Sequence, residues 1–204
     1  MNARQAVVAQ FRRPSGMLGH LAGFIMAHRP SNIERNRWTL DLVELKEADR
    51  VLEIGYGPGI ALEQAAETLT QGLIVGIDHS ETMLAQASKR NARSIRQGRM
   101  RLLSGSINDL PAFEQPFDKI YSANVVQFWD DPATEFRKLA QLLASGGLIA
   151  TTYMPRHAHA TSADTERMAE KIAQAKQQSG LVDVNVAIRR IDTMDATCVI
   201  ARNS

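Results

Sequence analysis

The stretch Glu53-Ile54-Gly55-Tyr56-Gly57-Pro58-Gly59 confines this chain to few folds. Val51, Leu52 and Ile54 read as the end of a buried strand. From Ile60 onward Leu62, Ala65, Ala66 and Leu69 fall at helical spacing. A strand that passes through glycines into a helix is how open α/β sheets bring bare backbone against a nucleotide. A second apolar run, Leu73-Ile74-Val75-Gly76-Ile77, ends on Asp78, an acid suited to take two hydrogen bonds from a ribose diol.

The glycine spacing separates two chemistries. A dinucleotide fold needs G-x-G-x-x-G, whose third glycine lets the helix start sit against a pyrophosphate. Here that position is Ile60, and the third glycine comes one residue early, at Gly59. No Arg or Lys lies between Arg50 and Lys89 to help neutralise a diphosphate. The loop is therefore poorly built for NAD.

Strands and helices alternate through the rest of the chain. Strand 51–54 leads to helix 60–70, and strand 73–77 to helix 81–91; a third strand at 100–104 runs into Asn108-Asp109-Leu110-Pro111. A fourth, 117–122, precedes a helix opened by Asp131-Pro132, an N-cap with Pro at the first helical position. Gly146-Gly147 is expected to end that helix, with a fifth strand at 148–153. A polar helix at 162–178 and two β-rich runs, 181–191 and 196–202, close the chain as a hairpin. Upstream, Ser31-Asn32-Ile33-Glu34 has a capping-box pattern, opening a helix at 32–46 with Trp38, Leu42 and Leu45 on one face. The expected fold is α/β and Rossmann-like: a seven-stranded, mostly parallel sheet with an antiparallel edge strand from the hairpin and helices on both faces.

At 204 residues the chain suits one domain, with residues 1–46 as an N-terminal helical lid and 47–204 as the core. Hydrophobic residues at 44% and charged residues at 23% are ordinary for a soluble globular protein, and a net charge of +2 gives no general drive toward nucleic acid. The single cysteine, Cys198, excludes an intramolecular disulfide and a Cys-rich metal site, and fits a reducing cytoplasm. Arg12-Arg13 precedes an apolar stretch at 17–27, but His20 and Gly16, Gly19 and Gly23 interrupt it. It lacks a cleavage site and is too short to span a bilayer, so it reads as a lid or packed helix.

The glycine loop and the acids on either side of it resemble the class I S-adenosylmethionine-dependent methyltransferases. The layout from about residue 36 onward is similar, and looks most like the small-molecule branch of ubiquinone and menaquinone biosynthesis. Four stretches carry the match: residues 51–59; Gly76-Ile77-Asp78-His79-Ser80 with Met83-Leu84; Gly105 to Pro111; and Phe117-Asp118-Lys119-Ile120-Tyr121-Ser122. The resemblance implies S-adenosylmethionine as cofactor and methyl transfer to a small-molecule acceptor. It places Gly55 and Gly57 against the methionine portion, with Gly59 completing the loop and Glu53 orienting it. Asp78 would take the ribose hydroxyls, His79 and Met83 would lie by the adenine, and Ser106 and Ile107 would flank it. Asn124 would sit near the transferring methyl. Two positions depart from the pattern: Ser106 stands where an acid is frequent, with Asp109 as a substitute, and Tyr56 replaces a small residue, where it would crowd the cofactor or shape the acceptor pocket.

Other residues have two readings. Phe128 and Trp129 follow the fourth strand and would wall an acceptor pocket, with Tyr153, or else pack under a loop. His157 and His159, with Tyr153, are candidates for deprotonating an acceptor, although a solvated loop pair is the blander reading and no metal set is apparent. Lys89, Arg90, Arg93, Arg96, Arg99 and Arg101 put six bases in thirteen residues without an interleaved aromatic, which suits a solvated surface better than RNA. Three rivals stay open beside methyl transfer: a non-catalytic cofactor-binding protein, an RNA methyltransferase using that basic run, and an enzyme using the sulfonium for other chemistry. A homodimer is also left open.

Overall fold

A computed structural model describes residues 30–157 and 159–204. The segment at 17–27, with His20 and the N-terminal arginines, lies outside the described residues. Helix α1 (Pro30–Val43) leads into β1 (Arg50–Ile54), α2 (Ile60–Thr68), β2 (Leu73–Asp78), α3 (Glu81–Arg90), α4 (Ala92–Arg96) and β3 (Met100–Ser104). Then follow a short 3₁₀ turn, β4 (Phe117–Ala123), a second 3₁₀ turn at Val126–Phe128, α5 (Pro132–Ala140), β5 (Leu143–Tyr153), α6 (Ser162–Gln178), β6 (Val182–Ile191) and β7 (Met194–Arg202).

The strands form a single seven-stranded sheet in the order β3-β2-β1-β4-β5-β7-β6. The first five are parallel. β7 is the antiparallel strand, inserted beside β5, and β6 pairs antiparallel to it on the rim. Side chains alternate strictly across this sheet, because successive residues of a strand point to opposite faces. Val51, Tyr121, Leu148 and Ala150 pack on one face with Leu62 and Leu69 of the α2 region. Leu52, Ile54, Ile120 and Ile149 pack on the other with Phe136 of α5 and Ile172 of α6. Each such fully buried aliphatic side chain contributes about 1.5–3 kcal/mol.

Two elements depart most from the sequence expectation, each for a local reason. α1 already contains Pro30 and Ser31, so the capping-box pattern lies inside the first turn; Glu44 at φ 53 ends the helix two residues before Lys46. Gly146-Gly147 does not stop a helix but lies within β5, whose pairing with β4 begins at Leu143 opposite Phe117 and shifts register before Lys119. α6 matches 162–178, fastened by a reciprocal Thr161–Asp164 capping box.

Candidate functional site

β1 and β4 are neighbours, yet β1 leads to β2 on one side and β4 to β5 on the other. Their carboxyl ends flank the crevice that open α/β sheets use for ligands. A cavity of about 420 Å³ opens there, within the usual range for a small-molecule site.

The glycine loop forms one wall. Gly55, Gly57 and Gly59 have φ of 74°, 50° and 79°, the left-handed region where a side chain is strained. A Cβ at Gly55 would collide with Val125, whereas nothing stands within 4 Å of a Cβ at Gly57, so the bare backbone there borders open space. Asp78, at the end of β2, accepts the Gly57 amide at 2.8 Å and the Ser80 amide at 2.9 Å. From α3 and the residue after it, Arg90 Nε reaches Pro58 O and Asn91 Nδ2 reaches Gly59 O, each at 3.0 Å, so the loop is braced from behind.

Two buried carboxyl groups line this cavity and differ in character. Burial is the main force raising the pKa of Asp78, opposed by its two backbone hydrogen bonds. Glu53 on β1 faces Tyr121 across the β1–β4 pair, and Tyr121 donates to its Oε2 at 2.9 Å. Burial foremost, then the charge of Asp78, push the Glu53 pKa up to about 8, against the Tyr121 hydrogen bond and Arg35. Glu53 is therefore mostly protonated at neutral pH.

The cavity gathers Glu53, Gly55, Tyr56, Gly57, Asp78, His79, Met83, Asn124 and Phe128 from the sequence reading. Tyr56 resolves its own alternative. Its ring lies over Gly76, where a Cβ would come within 2.8 Å, and its hydroxyl donates to Leu103 O at 3.1 Å. It thus packs down onto β2 and β3 rather than across the cavity. Asn124 spends its amide on Met154, donating to O and accepting from N, each at 2.8 Å, and so clamps the ends of β4 and β5.

Other candidates lie elsewhere. Gly59 caps α2 behind the cavity wall. Ser106 is exposed and bonded through both N and Oγ to Asp109 Oδ2, and Ile107 packs into the core of the opposite face. Trp129 turns away from Phe128 and stacks edge-on against Phe136 at 5.2 Å. Tyr153 packs in that same core. His157 borders a neighbouring groove, with Nε2 3.8 Å from Asp164; His159 is exposed and lines neither space. In the basic run, Arg90 is tied to Pro58 and Glu63, and Arg99 to Leu69 O. Among the described residues no three His, Cys, Asp or Glu side chains come together as a metal set, and no helix is long and apolar enough to cross a membrane.

The sequence reading expected a helical lid over residues 1–46 but named as site residues none of the polar side chains that α1 brings to the cavity. Asn32, Arg35, Asn36 and Thr39 fall at i, i+3, i+4 and i+7 on α1, and all four are buried; the first three line the cavity, while Thr39 pairs with the Thr152 hydroxyl of β5. A search for apolar periodicity passes over such a stripe; polar residues recurring at that spacing on an otherwise ordinary helix were the available signal. Arg156, just past β5, and Gln127 join them in the lining.

Comparison with known proteins points the same way. A family model described as a methyltransferase domain matches residues 51–147. A Bacillus subtilis protein described as an uncharacterised methyltransferase, YdaC, is 29% identical over 182 residues, covering 89% of this chain and 97% of that protein. A trans-aconitate 2-methyltransferase of Variovorax paradoxus is 35% identical over 120 residues, 57% of this chain but only 44% of that enzyme. A solved S-adenosylmethionine-dependent methyltransferase of Aquifex aeolicus superposes with a TM-score of 0.71 at 18% identity, covering 86% of this chain and 94% of the other.

Proposed function

We propose that this chain is a class I S-adenosylmethionine-dependent methyltransferase that transfers the cofactor's methyl group to a small-molecule acceptor in the cavity at the β1–β4 switch point. One observation carries the reading: the left-handed glycine loop, Glu53 and Asp78 all border that cavity.

The residues present fit the cofactor. Open space beside Gly57 admits a ligand against bare backbone, and Asp78, with one backbone amide on each oxygen, retains lone pairs for two ribose hydroxyls. Glu53, dry and adjacent, is a partner for a cationic ammonium group. When bound, S-adenosylmethionine supplies an activated methyl group on a sulfonium. What the protein contributes is alignment of the acceptor's nucleophile and exclusion of water, and α1 roofs the cavity for that purpose. No imidazole except His79 lines the cavity among the described residues, so the reading assigns no general base to His157 or His159. The likeness to the quinone-biosynthesis branch rests on the cofactor motifs, so the proposal names no quinone. A cytoplasmic location is proposed from the lone, buried Cys198.

The test is calorimetric titration with S-adenosylhomocysteine on the wild type and on Asp78→Ala. The expected result is micromolar binding by the wild type, weakened at least about tenfold in the variant. A folded wild type that does not bind would end the methyltransferase reading.

A further inference from the structure

The roof of the cavity holds two cations close together. Arg35 is only 8% exposed, and its Nη1 and Nη2 donate to Asn32 Oδ1 at 3.4 Å and Asn36 Oδ1 at 2.8 Å. Its Nε is buried and finds no acceptor among the described residues. Arg156, on the cavity rim, donates to the same Asn32 oxygen. Two guanidiniums thus converge on one neutral amide oxygen, an arrangement that like charges disfavour. On the cavity side, Gln127 adds an Oε1 that is also buried without a partner.

The charges lining the cavity do not balance. The lining sets two guanidiniums, Arg35 and Arg156, against two carboxyl groups, Asp78 and Glu53, both with pKa values raised by burial. S-adenosylmethionine brings a sulfonium and an ammonium against one carboxylate. A bound cofactor, of net charge +1, would therefore sit beside two guanidiniums with at most two carboxylates to balance the three positive charges. The complex is left with at least one positive charge in surplus. Only an acceptor that carries its own anion offsets it, and a guanidinium's planar fork of donors matches carboxylate or phosphate oxygens two at a time.

We propose that Arg35 and Arg156 form an oxyanion clamp that selects an acceptor bearing a carboxylate or phosphate group. Arg35 is the fixed half, held by Asn32 and Asn36; Arg156 is the half at the entrance. Phe128, 40% exposed at the same cavity, offers an apolar surface for the acceptor's carbon skeleton. The clamp rests on the methyltransferase reading, since it gives the glycine loop, Glu53 and Asp78 to the cofactor.

The test uses the full chain saturated with S-adenosylhomocysteine and titrated separately with succinate, citrate, inorganic phosphate and the neutral analogue succinamide. At least one anion should bind the complex while succinamide does not. The carboxylate and phosphate arms show which oxyanion is preferred. Arg156→Gln should weaken the binding anion by about tenfold or more while the affinity for S-adenosylhomocysteine changes by less than about threefold, and Arg156→Lys should recover part of the loss. Because Arg156 lies on the rim, unchanged thermal unfolding will show that the variants fold; Arg35→Lys provides an independent check inside the cavity. Failure of all three anions to bind the complex, or an Arg156→Gln variant that binds them normally, would overturn the clamp. So would an equal loss of S-adenosylhomocysteine affinity, which would give the guanidiniums to the cofactor's carboxylate instead. A wild type that binds no S-adenosylhomocysteine at all is a different result, and removes the reading on which the clamp rests.

Discussion

Two cationic side chains are buried in this protein on opposite faces of the sheet, and they are buried differently. Lys176, on α6, is fully buried; its Nζ donates to Ile149 O on β5 and Val199 O on β7, both at 2.7 Å, and sits 5.1 Å from the Phe136 ring centre. Two carbonyls and a ring face can occupy all three of its donors. Arg35, on the other face, shares weak or crowded partners with a second cation and leaves Nε with none among the described residues. Burial lowers the pKa of both, Lys176 to about 7 and Arg35 to about 9, with Arg156 adding to the effect on Arg35. The difference teaches that a buried charge alone does not mark a site. The marker is a buried charge whose hydrogen-bonding capacity is unspent and which borders a cavity.

The comparison breaks first at Arg35. Arg35→Met should lower acceptor-dependent turnover by about 10- to 100-fold, the equivalent of one or two charge-assisted hydrogen bonds. Unfolding free energy should move by no more than about 1 kcal/mol, because an imperfectly satisfied buried cation contributes little to stability. Denaturant unfolding beside steady-state kinetics checks both. A loss of several kcal/mol would make Arg35 a structural residue like Lys176.

Lys176→Met should show the reverse pattern, with turnover unchanged and stability altered. The Lys176 ammonium has no carboxylate partner among the described residues, so at neutral pH the fold carries much of its desolvation penalty. The folded pKa lies below the unfolded value of 10.5, so between about pH 7 and 10.5 the unfolded chain holds the extra proton. The wild type should therefore gain stability from this residue as pH rises through that window and lose it as pH falls. Methionine removes that slope. It should stabilise the protein by roughly 1–3 kcal/mol at pH 6, after the loss of two carbonyl bonds, with the gain shrinking toward pH 10. Thermal unfolding across pH 6–10 reads this out; a variant destabilised at every pH would mean the carbonyl bonds outweigh the charge.

The sheet and the loop were legible because their signals are local. Unbroken burial from Val51 to Ile54, three glycines at positive φ and an acid at the end of β2 are written in short stretches of chain. A helical lid was expected, but its polar lining was not legible. Asn32, Arg35 and Asn36 look like a solvated helix face until α1 is seen lying across the crevice, and Arg156 approaches it from 121 residues downstream of Arg35. Likewise, nothing local separates Phe128, at the cavity, from Trp129, turned into the opposite core; the 3₁₀ turn at Val126–Phe128 divides them. Nor could sequence tell that His157 would face Asp164 and the groove beside Met194.

A smaller effect sharpens the comparison at the carboxyl groups. Glu53 is the anionic counterpart of the buried cations, with a pKa of about 8 that leaves it protonated in the free protein at pH 7. A sulfonium and ammonium entering the cavity favour the ionised form, so cofactor binding should expel the proton. The bound state then holds fewer protons than the free state, and binding must strengthen as pH rises toward 8. If the bound pKa falls by about one unit, affinity for S-adenosylmethionine should rise roughly fivefold between pH 6 and 8. Calorimetry at pH 7 in buffers of different ionisation enthalpy should register a fraction of a proton released, and Glu53→Gln should register none and lose the pH dependence. Proton uptake, or release that survives Glu53→Gln, would place the cofactor's cationic end away from Glu53. It would then fall to the Arg35 end of the cavity to explain why a cation is tolerated there.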